Sequence, residues 1–163
     1  GESLEQIVAH LLIENHATIA VAESCTGGLL AERLTSVAGS SAYFLGGAVV
    51  YSNELKTSMA GVPGELIESK GAVSAEVALA LASGIRKRTG AMLGLGVTGI
   101  AGPSGGTPEK PVGLVHLAIA DERGARETVM QLPGDRERIR MFSTQRALDL
   151  VRRYYLYPAH GRA

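Results

Sequence analysis

The stretch TIAVAESCTGGLLAERLTSV, Thr18 to Val37, decides the fold. Thr18-Ile-Ala-Val-Ala22 is short, apolar and β-leaning, the pattern of a buried strand. Glu23-Ser-Cys-Thr-Gly-Gly28 follows as a turn, and Leu29 to Val37 reads as a helix entered through the two glycines. A strand that passes through a glycine turn into a helix is the α/β unit. Its turn lies at the carboxyl end of the strand, where such sheets take their ligands.

Outward from that unit the pattern alternates. Leu4, Ile7, Val8, Leu11 and Leu12 recur at helical spacing and predict a helix over 3–15. Ala42 to Tyr51 reads as a second strand, with Gly46-Gly47 marking a bulge or a close backbone approach. Short helices follow over 54–60 and 63–69, broken by Gly61 and Pro63. Ser74 opens a helix to about Arg88 as its N-cap. Met92 to Thr98 is a third strand, and Gly99 to Pro111 is a long Gly/Pro loop. Val112–Ala120 and Glu127–Leu132 form a hairpin about Asp121–Gly124, and Arg136 to Tyr155 is a final helix. The order α-β-α-β-α-α-α-β-β-β-α predicts an α/β domain, a mixed sheet with helices on both faces. Residues 1–163 form one domain, with Pro158 to Ala163 expected as a frayed tail.

Composition sets bounds on function. Apolar residues make up 45% of 163, enough for a real core. Lys+Arg and Asp+Glu are 16 each, so no net charge draws the chain to nucleic acid or to an anionic membrane. The arginines of the last helix, Arg136, Arg138, Arg140, Arg146, Arg152 and Arg153, come without an aromatic stacking platform and read as a solvated face. The single cysteine, Cys25, forbids an internal disulfide and points to a reducing, cytoplasmic location. No run reaches membrane-spanning length. The first residue is Gly, which suggests a module cut from a longer chain.

Several motifs carry little chemistry. GLGVTG, Gly94–Gly99, matches a dinucleotide fingerprint in letters, but it lies inside a strand and opens no helix. The four histidines are scattered, so neither a metal site nor a Ser-His-Asp triad is supported, and no cofactor is called for. ESCTGG leaves two readings open: backbone N–H groups aimed at an anion, or Ser24 and Thr26 as plain helix caps. Cys25 reads as a small buried thiol. GIAGPSGG, Gly99–Gly106, is either a ligand loop or an ordinary surface loop.

GSSAYFLGGAVVYSNELK, Gly39 to Lys56, sets Ser40 and Ser41 before a strand and Lys56 after it. A desolvated lysine amine can take a serine proton. Yet a straight ten-residue strand would span roughly 33 Å. The pair needs a shorter bent strand, a chain that folds back after Tyr51, or a second subunit. On spacing alone Lys56 is a solvated helix lysine, and Ser40-Ser41 cap a turn.

AESCTGG, AGSSAYF, VVYSNELK, GAVS, VTGIAGPSGGTPEKPVG and GDRERIR, in this order, resemble the CinA C-terminal domain family, the nicotinamide mononucleotide deamidases or PncC-type amidohydrolases. The resemblance runs from about Leu4 to about Arg152. It implies a three-layer α/β/α sandwich with a mixed, mostly parallel five-stranded sheet. The activity it implies is hydrolysis of the carboxamide of nicotinamide mononucleotide to nicotinate mononucleotide and ammonia, without metal or cofactor. It further implies a homodimer, and a molybdopterin-binding-like domain fused ahead of some members. A non-catalytic pyridine-nucleotide-binding module is the alternative.

By the same resemblance the nucleophile falls on Ser41 and the base on Lys56, with Tyr51 in the site. Ser24 and Thr98 match polar pocket positions, and Ser24 is the other candidate for the attacking hydroxyl. Thr26, Gly27, Ser40, Gly99, Ala101 and Gly102 complete the substrate-binding turns. The phosphate arginine is Arg136 or Arg140, with Arg140 favoured.

Overall fold

A computed structural model describes residues 1–158. The tail beginning at Pro158 therefore lies, apart from its first residue, outside the described residues. Helix α1, Leu4–Glu14, opens on a capping box in which the Ser3 hydroxyl accepts from the Gln6 amide and the Gln6 side chain answers the Ser3 amide. Strand β1 is Ile19–Glu23 and helix α2 is Leu29–Thr35. A short 3-10 turn, Ser40–Ala42, leads into β2, Phe44–Val49. Helices α3, Asn53–Ala60, and α4, Gly64–Lys70, precede α5, Ala75–Thr89, whose N-cap is Ser74 as its sequence predicts. Strands β3, Leu93–Gly99, β4, Leu114–Asp121, and β5, Gly124–Gln131, lead to α6, Arg136–Leu156.

The sheet order is β2-β1-β3-β4-β5. β2 and β3 both pair in parallel with β1, and β4 runs antiparallel to β3 and β5. Only β4 therefore runs against the rest. From β1 the chain steps outward to β2, then returns past β1 to β3. The first crossover uses α2 on one face and the second uses α3–α5 on the other, which keeps both crossovers the same hand. The order reverses between β1 and β3, and open α/β sheets take their ligands beyond the carboxyl ends of the strands at such a point.

Side-chain alternation builds two unlike cores. Ile19 and Val21 of β1, with Leu93, Leu95 and Val97 of β3, face α1, α2 and α6. Each large aliphatic buried there is worth about 1.5–3 kcal/mol. The opposite face is small: Ala20, Ala22, Ala118 and Ala120 meet Val77, Ala78, Leu81 and Ala82 of α5. Gly94 and Gly96 belong to that face. A Cβ at Gly94 would lie 2.2 Å from the Ala82 carbonyl oxygen, and one at Gly96 would lie 2.5 Å from that of Ala78. The glycines of GLGVTG thus seat a helix close against the sheet.

Three boundaries differ from the sequence reading. β5 begins at Gly124 rather than Glu127, because the Asp121 carboxylate accepts from the Arg123 amide and closes a tight turn, so pairing starts at Asp121↔Gly124. β4 begins at Leu114, since Gly113, at φ +95°, donates to the Ile100 carbonyl and belongs to the loop. β2 covers only 44–49, and its register with β1 shifts between Ile19 and Ala20. A Cβ at Gly47 would sit 2.1 Å from the Val21 carbonyl oxygen, so Gly46-Gly47 marks both an irregularity and a close approach. Among the described residues no helix is long and apolar enough to cross a membrane.

Candidate active site

The carboxyl ends of β1, β2 and β3 bring most of the candidate residues together. The Val50 amide, just past β2, donates to the Glu23 carbonyl at 2.7 Å. The Ser24 amide donates to the Val97 carbonyl of β3 at 3.0 Å. The turn Ser24–Gly28 is thereby held between its two neighbours, with Tyr51 and Lys56 beyond β2 and Thr98 to Gly102 at the end of β3.

Lys56 is 1% exposed, which overturns its reading as a solvated helix lysine. Its place on the inner face of α3 follows from the Ser52 cap, whose hydroxyl accepts from the Leu55 amide and fixes where the helix starts. Nζ donates to the carbonyls of Val50 at 3.0 Å and Tyr51 at 3.2 Å. Among the described residues no carboxylate forms an ion pair with it. Burial holds its pKa below the ordinary lysine value, and the nearby Cys25 and Glu54 only partly oppose that. A neutral amine has two N–H bonds and one lone pair. With both N–H groups on carbonyls, the lone pair takes the remaining tetrahedral direction.

The turn after β1 is knotted from two sides. Glu23, fully buried, accepts from the Thr26 hydroxyl at 2.6 Å and from the amides of Gly28, Leu30 and Ala31 at 3.2, 2.9 and 2.9 Å. From the other side Arg140 donates to the carbonyls of Cys25 and Thr26 at 3.2 and 3.0 Å. Gly27 and Gly28 follow at φ +58° and +103°, conformations that a side chain would strain. The reading of Ser24 and Thr26 as caps needs correction here, and the anion reading narrows to the amides that precede α2. The amides opening α2 are held by the Glu23 carboxylate and are not offered to an anion. Nor do Ser24 and Thr26 cap that helix; Glu23 does. The amides of Cys25 and Thr26 carry no backbone partner among the described residues, and no protein group among them bonds the Ser24 hydroxyl. Burial pushes the Cys25 thiol up to about 12, so it stays protonated, in keeping with a small buried thiol.

Around this centre lies a polar rim. Arg136 donates to the Gly102 carbonyl at 2.7 Å and to the Tyr51 hydroxyl at 2.9 Å, bridging the exits of β3 and β2. Tyr51 is otherwise 56% exposed. The Thr98 hydroxyl donates to the Ala72 carbonyl at 2.7 Å and ties down the loop before α5. Gly99 admits no side chain, since a Cβ would meet Val115 at 2.7 Å, and Ala101 is buried at the base of the loop. GIAGPSGG thus starts from an anchored base beside the site.

Ser40 and Ser41 stand apart. They precede β2, whereas Lys56 follows it, and Phe44 pairs with Ile19 at the amino ends of the strands. Six residues of strand span about 20 Å. Neither the irregularity at Gly46-Gly47 nor a return of the chain closes that distance. Within one chain the Ser41 hydroxyl, expected as the nucleophile, does not meet Lys56. Ser40, expected in the substrate turns, instead donates to the Thr35 carbonyl at 3.4 Å.

Residues 1–155 match the profile of the CinA C-terminal domain family. The chain belongs to that family. It is 61% identical over 153 residues to a CinA-like protein of Koribacter versatilis (strain Ellin345), covering 94% of this chain and 37% of that protein. Among solved structures it is similar to the competence/damage inducible protein CihA from Agrobacterium tumefaciens, with 40% identity, a TM-score of 0.87, and 93% and 94% of the two chains covered. It also resembles the competence damage-inducible protein A from Klebsiella pneumoniae, with 32% identity, a TM-score of 0.90 and 96% of each chain covered. The chain thus spans little more than a third of the length of the CinA-like relative.

In this CinA C-terminal domain the residue that sequence reasoning missed is Glu23. A signal was present: an acidic residue closing an otherwise apolar strand, directly before a turn that enters a helix. The same carboxylate that would be costly in a core is welcome where helix amides lie unpaired. Arg140 was singled out, but for a phosphate rather than for the two carbonyls it holds.

Proposed function

We infer that this domain hydrolyses the carboxamide of nicotinamide mononucleotide, with Ser24 as nucleophile and Lys56 as base. The observation that carries the reading is a buried lysine amine with no ion-pair partner among the described residues, donating to two carbonyls at the end of β2 that adjoins the turn bearing Ser24. Family membership supports the amidohydrolase class.

The reaction runs as acyl transfer. The Lys56 lone pair takes the Ser24 proton as the oxygen attacks the carboxamide carbon. The carbonyl oxygen gains the negative charge and accepts from the Cys25 and Thr26 amides; losing such a donor typically raises the barrier by about 3 kcal/mol. The tetrahedral species then collapses: the C–N bond breaks and the Lys56 ammonium gives its proton to departing ammonia. Water, activated by the same amine, cleaves the acyl–serine ester and frees nicotinate mononucleotide and Ser24. The cationic pyridinium makes the amide electrophilic and further disfavours a protonated Lys56. Arg140 is half-buried behind the turn it holds, whereas Arg136 is exposed at the rim beside GIAGPSGG, so Arg136 is the phosphate ligand in this reading.

The test is ammonia release from nicotinamide mononucleotide, with Lys56→Met as the control that keeps chain length and removes the base. Turnover by the parent domain and a loss of about 1000-fold in the variant are expected. Tight nucleotide binding without ammonia would replace the enzyme by a binding module.

A further inference from the structure

We propose that Glu23 is a positioning residue for the Ser24 centre, fixing the Ser24–Gly28 turn so that the Cys25 and Thr26 amides are presented to the oxyanion. The inference rests on the reading of Ser24 as nucleophile. Glu23 is 0% exposed and, among the described residues, has no cationic partner. A buried carboxylate is costly unless its lone pairs are filled. A helix cap would need only the Leu30 and Ala31 amides. Glu23 takes two further donors, the Thr26 hydroxyl and the Gly28 amide, and both belong to the turn. One side chain thus locks turn and helix to each other.

The orientation of the two amides follows from what holds their peptide planes. In a trans peptide the N–H opposes the C=O. The Ser24 carbonyl accepts from the Gly27 amide at 3.0 Å, which fixes the plane that carries the Cys25 N–H. Arg140 holds the Cys25 carbonyl, which turns the Thr26 N–H away from α6. Glu23 anchors the Thr26 side chain and the Gly28 amide. Without it, Gly27 and Gly28 can relax and both planes can rotate, since glycine samples many backbone states. Ser24 and Lys56 would remain, but without fixed donors for the charge.

Glu23→Gln and Glu23→Ala would be compared with the parent chain in three measurements: labelling of Ser24 by a serine-directed fluorophosphonate followed by intact mass, turnover of nicotinamide mononucleotide, and amide exchange across α2. The expected result is labelling and kcat slowed about 100-fold and KM changed by less than about threefold, with Glu23→Gln less affected than Glu23→Ala because it keeps one acceptor oxygen. Faster exchange in α2 with labelling and turnover within about threefold of the parent would reduce Glu23 to a helix cap and overturn the proposal. If the parent is labelled but releases no ammonia, the assigned substrate is wrong and the labelling ratio still decides the role of Glu23. A parent that is not labelled has no reactive Ser24 to position, which also overturns it. Should the Glu23 variants fail to fold, Thr26→Val removes only the 2.6 Å bond. It should slow labelling about tenfold; an unchanged rate refutes the proposal.

Discussion

Two serine turns, Glu23–Gly28 and Gly39–Ala42, look alike on paper and differ in what surrounds them. Each sets small hydroxyls beside glycine at the boundary of a strand. The first leaves the carboxyl end of the central strand β1, the second enters the amino end of the edge strand β2. Around the first, Glu23, Arg140 and Lys56 are all committed to backbone groups within reach of the turn. Around the second, Ser41 is exposed and Ser40 makes one long bond to a carbonyl. In a sheet whose first three strands run in parallel, the end of the strand decides which serine turn shares a rim with the lysine, because everything that follows a strand gathers there.

The sharpest way to break this comparison is to delete the hydroxyl of the first turn. Ser24→Ala should lower kcat by about 1000-fold or more with KM little changed, because the nucleophile acts only as the bond forms. Ser24 is 8% exposed and its hydroxyl bonds no other protein group among the described residues, so stability should barely move. Rapid turnover by Ser24→Ala would end the distinction between the two turns.

Titration of Lys56 sharpens it further. Burial favours the neutral amine, so turnover should rise with pH as Lys56 loses its proton and level off below the ordinary lysine value of 10.5. Stability has the same sign. Between the lowered folded pKa and 10.5 the unfolded chain binds more protons, so the free energy of unfolding increases with pH across that window. Chemical denaturation at several pH values should show the slope in the parent chain and its loss in Lys56→Met. A stability independent of pH there would mean that the amine is not desolvated.

Most of the fold was legible because period and punctuation agree. Ile19 to Ala22 reads as a buried strand, Ser3 and Ser74 read as caps, and both glycine pairs mark strained or close backbone. The site was legible in its parts and not in its pairing. Lys56 and Ser41 share one motif-rich stretch, and the family resemblance pairs them, a partnership that a six-residue strand forbids within one chain. Ser24 lies 32 positions before Lys56, and only the parallel pairing of β1 with β2 brings their ends together. Glu23 was opaque for another reason: its role is written in backbone amides, which carry no letter in the sequence.

The smallest expected effect belongs to the second turn. Ser41→Ala should leave ammonia release within about twofold and unfolding within about 0.5 kcal/mol, as for an exposed side chain without a partner among the described residues. The variant discriminates because one route could still carry the Ser41 hydroxyl to a lysine: the site of a neighbouring subunit. A loss of 100-fold or more would therefore place Ser41 across a dimer interface. Mixing inactive Ser41→Ala with inactive Lys56→Met chains would then regain activity in mixed dimers, where one of the two sites draws its serine from the Lys56→Met chain and its lysine from the Ser41→Ala chain. Near-normal turnover by Ser41→Ala leaves that hydroxyl outside the chemistry in any assembly, and the turn after β1 as the one that works.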